Sequence, residues 1–433
     1  MDYWSPRIET MPVQDLKDLQ YKLLKTLTYK LYSFSDFYHA RMKEAKVHPD
    51  DIRSLDDVVK LPFMKKSDLR DNYPDKLFVT AREDVVRFHA SSGTTGKPTV
   101  VGYTQHDLDA WSTSLARALT SCGLGRGDTI QVSYGYGLFT GGLGLHYGAE
   151  RIGAAVLPAS VGNTERQIDL MVDMNVTAIA CTPSYLLHMG EVAEKMGINF
   201  GKDTKLRRAI LGAEPWTERM RTRIEENLGI KAYDIFGTSE LSGPLFTECA
   251  EQKGIHVWGD LALTEILDPD THETVAPGEK GELVVTMLQK EALPMIRYRV
   301  GDVTTLHEDV CSCGRTSPRI GRIQGRVDDM LIIRGINVFP SQIEHTLMSI
   351  PEVGQHFMIE VDRKGELDDL LVRVELKREY FSDKIDDLMK IKRKVAHALR
   401  SSLNVAVEVE LANPDSLPRF EGKAKRVIDR RQM

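Results

Sequence analysis

Between residues 129 and 237, five short apolar runs, TIQVSYG, AAVLPAS, AIACTP, RRAILGAE and IKAYDIFG, each read as a strand closing in a turn. The stretches DLDAWSTSLARALTSCG (107–123) and SYLLHMGEVAEKMG (184–197) carry helical spacing, the second with Ser184 as its expected N-cap. Strands that alternate with helical stretches predict an α/β sheet architecture, beginning near Val85.

Upstream, DLKDLQYKLLKTLTYKLYSF (15–34) repeats apolar residues at three- and four-residue steps, and SLDDVVKL follows, so the first ninety residues are expected to form a helical cap. After Leu261, LALTEIL, APGEKGELVVTML and PMIRYRVGD read as antiparallel strands of a β-rich subdomain. A boundary is expected between Arg322 and Asp329, in RIQGRVDDM. Beyond it come a helix from about Ser341 and the strands LLVRVELK (370–377) and VAVEVEL (405–411), which flank a basic amphipathic helix near 383–402. A chain of 433 residues exceeds the usual size of one hydrophobic core. The expected organisation is a large N-terminal domain, 1–325, and a small C-terminal α/β domain, 326–433.

With 63 acidic and 57 basic residues the formal charge is -6, which argues against nucleic acid or an anionic membrane as the main partner. The start MDYWSPRIET lacks a basic segment leading into an apolar run, and no apolar stretch reaches the ~18 residues a membrane span needs. A cytoplasmic location is expected.

Ala90-Ser91-Ser92-Gly93-Thr94-Thr95-Gly96-Lys97-Pro98 combines hydroxyls, two glycines and a lysine between strand-like flanks, a loop able to offer N–H groups, hydroxyls and a positive charge to a polyphosphate. It is not a Walker loop, since Pro98 follows Lys97 and Ser91 stands where the first glycine is required. Taken alone, the segment is as compatible with an ordinary surface turn.

Further motifs follow in order: Gly212-Ala213-Glu214-Pro215, Asp234-Ile235-Phe236-Gly237-Thr238-Ser239-Glu240, Tyr298-Arg299-Val300-Gly301-Asp302, Gly325-Arg326-Val327-Asp328-Asp329 and Pro418-Arg419-Phe420-Glu421-Gly422-Lys423. Together with the loop they resemble the motif series of the adenylate-forming superfamily of acyl-CoA synthetases, luciferases and peptide-synthetase adenylation domains. YGYGLFTGGLGLHYGAER (134–151), KEALPMIRYR (290–299) and DDMLIIRGINVFPSQIE (328–344) resemble the phenylacetate-CoA ligase family in particular. The resemblance runs from about residue 5 to the end.

It implies an AMP-forming ligase that joins an aryl acid to coenzyme A through an acyl-adenylate, with a C-terminal domain that rotates between half-reactions. Because two anions must meet, positive charge and oriented donors must surround the phosphates. By resemblance Ser91, Ser92, Gly93, Thr94, Thr95, Gly96 and Lys97 hold the β- and γ-phosphates, and Glu240 holds Mg²⁺. Ala213, Glu214, Pro215, Asp234, Gly237 and Thr238 border the nucleotide. Phe236 stacks on adenine where many members carry tyrosine. Asp302 accepts the ribose hydroxyls, Arg326 reaches the nucleotide, and Lys423 acts at the α-phosphate and acyl carboxylate. Asp328, with Asp329 as the alternative, is the hinge, and Arg334-Gly335 lies on the face that admits coenzyme A. Tyr136, Phe139 and Gly141 are candidates for the acyl pocket, beside Gly142. The implied partners are ATP, coenzyme A and a small aryl acid; the resemblance leaves room for a homodimer. Another acid, another acceptor or a nucleotide-binding sensor are the competing readings.

Five cysteines occur in the chain. Cys311 and Cys313 share a tight turn, and with Cys249 and His256 they make a Cys₃His set suited to structural Zn²⁺, expected to pin two loops of the β-rich subdomain. Chance thiol pairs are the alternative. Cys122 and Cys181 stand in apolar surroundings and are expected in the core.

Overall fold

Amphipathic spacing becomes structure first at the N-terminus, where Val13–Phe34 forms a helix whose Leu16, Leu24, Leu27 and Leu31 face the core. The computed structural model describes residues 2–91, 98–327, 331–333, 336–364, 367–381, 384–420 and 425–431. Residues 55–60, expected as part of the helical cap, form a single 3₁₀ segment instead, too short to carry an α-helix.

Among the described residues the largest sheet has nine strands. Ala155–Leu157, Thr129–Val132, Ala178–Cys181, Arg208–Gly212 and Lys231–Thr238 run parallel in that spatial order. These are the five runs anticipated above. The helices Gln105–Ser121 and Pro183–Lys195 also form. The cap of the second, however, is Thr182. Pro183 opens this helix because its fixed φ suits the first helical position, which puts Ser184 inside the first turn. Cys122 and Cys181 are buried, as expected.

The sheet then continues with antiparallel strands: Gly243–Glu248, Ile255–His256, Arg319–Ile320 and Leu306–His307. Between its visits to this edge the chain builds three strands of a second, wholly antiparallel sheet, Ala262–Leu267, Gly281–Met287 and Tyr298–Thr304, and after the second visit it adds the fourth, Gly325–Arg326. The β-rich segment is therefore an excursion from the large sheet, to which residues 306–320 return.

The C-terminal part has its own core and sheet. The strands Val353–Lys364 and Leu367–Leu376 pair antiparallel, with Glu408–Ala412 and Val427–Asp429 parallel on either side. Helix Ile385–Leu403 connects Leu367–Leu376 to Glu408–Ala412 as a βαβ unit, burying Val395, Leu399 and Leu403. The architecture is α/β with a separate C-terminal domain.

Candidate active site

The strands Arg87–Ser91 and Thr99–Tyr103 pair antiparallel, with Ser91 opposite Thr99, so the phosphate-loop sequence joins the two arms of a hairpin. Ser92, Gly93, Thr94, Thr95, Gly96 and Lys97 lie outside the described residues. What surrounds the end of the hairpin is well defined. Thr99, first residue of the outgoing strand, donates its hydroxyl to Glu240 Oε1 at 3.4 Å. Lys66 Nζ lies 3.4 Å from the same oxygen. Glu240 itself is buried in the 3₁₀ turn Ser239–Leu241 that follows Lys231–Thr238. The buried carboxylate and the hydroxyl are oxygen donors of the kind a hard divalent cation such as Mg²⁺ takes, while the Lys66 ammonium, which cannot ligate a cation, shares the carboxylate in this arrangement.

Gly237 is fixed by close approach, because a Cβ there would stand 1.8 Å from the Gly243 carbonyl oxygen of the adjoining strand. The neighbouring Phe236 is buried. Thr238 carries a buried hydroxyl that has no partner among the described residues. Asp234 is buried, its amide donating to Glu248 Oε2 at 2.8 Å and its carboxylate 3.5 Å from Arg322. Burial pushes this carboxyl up to about 7 against the pull of Arg322. In the adenine-side turn, Ala213 takes a left-handed φ of 68°, and Glu214 Oε1 accepts the Ser184 amide at 2.7 Å. Pro215 follows in the same turn.

Asp302 is buried in Tyr298–Thr304 and accepts Arg326 Nη1 at 3.0 Å, with Arg326 on the next strand of the sheet. Two expected nucleotide contacts are thus brought into one ion pair. Asp328, Asp329, Arg334, Gly335 and Lys423 lie outside the described residues.

Tyr136 is half-buried and its hydroxyl meets His146 Nδ1 at 3.3 Å. Phe139 is 53% exposed, whereas a pocket wall would be covered, so it does not enclose a cavity in this arrangement. Gly141 opens the helix Gly141–Arg151. This segment still borders the site: Thr140 Oγ1 lies 3.3 Å from Ser239 Oγ, and the Leu138 carbonyl accepts the Ala90 amide at 3.0 Å. Sequence reasoning missed Lys66, Thr99 and Lys290, the last of which donates to the main-chain carbonyl of Glu240 at 2.9 Å. Only Lys290 lay within a quoted stretch, and nothing local marks any of them as neighbours of Glu240.

Cys249, His256, Cys311 and Cys313 converge, with their ligand atoms all within 4.8 Å of one another. Cys249 Sγ is 3.9 Å from Cys311 Sγ, and Cys313 Sγ is 3.5 Å from His256 Nε2. Tetrahedral Zn²⁺ with its usual bond lengths requires edges of about 3.8 Å between sulfurs and about 3.6 Å between sulfur and nitrogen. The donor set therefore fits the ion. Hydrogen bonding between Cys249 and Cys313 pushes the first thiol up and pulls the second down. The expected location needs correction: these residues lie along the antiparallel edge of the large sheet, because residues 306–320 return to it. Arg315, fully buried, pairs with Glu9 at 2.8 Å and points a guanidinium nitrogen at Cys313 Sγ, 3.7 Å away, while Tyr3 donates to the Cys313 carbonyl at 2.7 Å. The N-terminal segment is thereby tied to the cluster.

Arg219, on the helix Glu218–Leu228 that follows the adenine-side turn, donates to the His345 carbonyl of the C-terminal part at 3.3 Å. Glu344, buried on helix Pro340–Met348, accepts Arg426 Nη1 at 2.9 Å, while its Oε1 has no partner among the described residues. Burial pushes its carboxyl from 4.5 up to about 7, with Arg426 and Arg322 opposing and Glu214 reinforcing the rise. Below the ordinary value the group is protonated whether the chain is folded or not. As pH rises towards 7 the unfolded chain releases its proton first, so stability falls, and above about 7 the cost is complete, on the order of 3 kcal/mol. Glu344→Gln is therefore expected to gain thermal stability over the parent progressively between pH about 4.5 and 7, with a constant advantage above that. Melting curves across this range check it; an advantage independent of pH would contradict it.

Two family models match the chain: "AMP-binding enzyme" over residues 25–288 and "AMP-binding enzyme C-terminal domain" over residues 335–431. The phenylacetate-coenzyme A ligase of Thermus thermophilus is 45% identical, over 99% of this chain and 100% of its own. That of Escherichia coli is 47% identical, over 98% and 97%. Among solved structures, 2-hydroxyisobutyryl-CoA ligase in its postadenylation state superposes with a TM-score of 0.93 at 31% identity, covering 99% of this chain and 93% of that one. The same ligase in its thioesterification state gives 0.73 at 32% identity, covering 99% and 92%. The chain thus superposes better on the postadenylation form than on the thioesterification form. In sequence, family match and fold alike, this chain belongs to the AMP-binding, adenylate-forming enzymes and, within them, to the phenylacetate-CoA ligase family.

Proposed function

We propose that the protein converts an arylacetate, phenylacetate first, into its coenzyme A thioester: ATP activates the acid as an acyl-adenylate with release of pyrophosphate, and the thiol of coenzyme A then displaces AMP. The observation that carries this reading is identity of 45–47% with phenylacetate-coenzyme A ligases along nearly the whole chain. The contact of the loop hairpin with Glu240, and the Asp302–Arg326 pair, support it.

The roles follow from charge. Residues 91–97 are read as the cradle of the β- and γ-phosphates, and Glu240 as the ligand of Mg²⁺, which when bound neutralises the leaving pyrophosphate. Asp302 is read as the acceptor for the ribose hydroxyls, with Arg326 holding its carboxylate in place until nucleotide arrives. Phe236 offers a flat apolar face for adenine, with Ala213, Glu214, Pro215, Asp234, Gly237 and Thr238 around it. Tyr136, Phe139 and Gly141 remain the acyl-side candidates; closure over the acid would have to cover Phe139.

We also read the Cys₃His cluster as a structural Zn²⁺ site, since all four tetrahedral positions come from the protein and none is left for substrate. The domain division is read at residues 325 and 326, with rotation about Asp328 bringing Arg334 and Gly335 to coenzyme A. Substrates of this kind fit a cytoplasmic setting.

The test is pyrophosphate release and thioester formation with Mg-ATP and a panel of acids led by phenylacetate, with and without coenzyme A. Thioester with AMP is expected, phenylacetate ranking first. Pyrophosphate without thioester would move the reading to another acceptor, and neither product would overturn it.

A further inference from the structure

Lys290 is buried, yet among the described residues no carboxylate oxygen lies within ion-pairing distance of it. Its ammonium donates to the main-chain carbonyl of Glu240 at 2.9 Å and sits 4.9 Å from the centroid of the Tyr103 ring. Burying an ammonium without a direct counterion costs several kcal/mol, so an apolar residue would serve packing alone better.

The surroundings hold Lys290 accurately. Asp107 accepts the amides of Glu291 and Ala292 at 2.7 and 3.1 Å, and Thr104 Oγ1 donates to Glu291 Oε2 at 2.8 Å. The backbone just after Lys290 is therefore pinned to the N-terminus of helix Gln105–Ser121. Tyr103, whose ring the ammonium faces, donates its hydroxyl to the Ser239 carbonyl at 3.3 Å. The turn that carries Glu240 is thus gripped by two successive carbonyls from behind, while the Glu240 carboxylate faces Lys66 and Thr99.

We propose that Lys290 is a positioning residue for divalent-metal binding: its charge-assisted bond to the Glu240 carbonyl fixes the Ser239–Leu241 turn so that the Glu240 carboxylate is aimed at the metal carried by ATP. The inference rests on Glu240 as the metal ligand. A neutral side chain at 290 leaves the carboxylate present but less well aimed, and outer partners of this kind typically change metal affinity by about 10- to 100-fold.

The test is calorimetric. ATP is titrated into the full chain with Mg²⁺ and with EDTA, and the ratio of the two affinities is the metal-dependent increment. Lys290→Met is expected to reduce this increment about tenfold, with affinity in EDTA unchanged. Lys290→Gln, which keeps a donor for the carbonyl, serves as a second variant should the first fail to fold, and its increment is expected between those of the Met variant and the parent. Glu240→Gln should abolish the increment. If it does while a folded uncharged variant at 290 keeps the parent's increment, the role of Lys290 is overturned and that of Glu240 stands. If Glu240→Gln keeps the increment, both fall.

Discussion

Lys423→Ala is expected to slow pyrophosphate release about 10²- to 10³-fold while thioester formation from a supplied acyl-adenylate keeps its rate. Adenylation brings a carboxylate to the α-phosphorus, and the negative charge that builds on both must be met by a donor in position before the reaction starts. The segment that carries Lys423 is anchored at both ends. Arg419 grips Glu375 through both nitrogens, at 2.9 and 2.8 Å, and Arg426 pairs with Glu344. Once formed, the adenylate no longer needs that charge to react with a thiol, and the proposed rotation would carry the segment away. Lys425, two residues on and exposed, is the control, and its alanine variant is expected to keep both half-reactions. Stopped-flow measurement of each half-reaction separates the cases, and equal loss of both in Lys423→Ala would sink the assignment.

On the proposal that the Cys₃His cluster holds zinc, removing that metal should have the largest effect on stability. Structural zinc contributes on the order of 10 kcal/mol in small peptides, comparable with the whole stability of many domains. The cluster closes the antiparallel edge of the large sheet and also holds the Arg315–Glu9 pair that ties down the N-terminal segment. Elemental analysis is expected to give one zinc per chain. Cys313→Ser, or dialysis against a strong chelator, should lower the melting temperature by about 10 °C or more. Cys122→Ser, whose thiol lies against the Glu248 carbonyl at 3.4 Å, should leave the zinc content unchanged. Protein without stoichiometric metal whose thiols titrate freely in the native state would remove the claim.

What the sequence made legible follows the length scale of each signal. The five parallel strands and the helices near 107 and 184 were readable because burial and amphipathic spacing leave a pattern several residues long. Leu306–His307 and Arg319–Ile320 have two residues each and no period to detect, and Gly243–Glu248 passed unread because its GPLFTE sequence opens with a glycine and a proline that suggest a turn. The motif residues Glu240, Asp302 and Arg326 were legible through resemblance, and the last two meet in an ion pair. Lys66, Thr99 and Lys290 were not, because their relation to Glu240 spans 174, 141 and 50 positions along the chain, and no local spacing encodes such a contact.

The route of the chain along the large sheet bears on how the protein can be divided. Residues 306–320 supply the last two strands of that sheet and two of the four cluster ligands, after three of the four strands of the second sheet and before its fourth, Gly325–Arg326. A fragment ending at residue 288, where the first family model stops, would keep Cys249 and His256, lose Cys311 and Cys313, and leave Ile255–His256 as a bare edge open to pairing between molecules. For cloning and expression, the shortest piece that preserves the large sheet must therefore run past residue 320, well into what the match lengths alone would mark as linker.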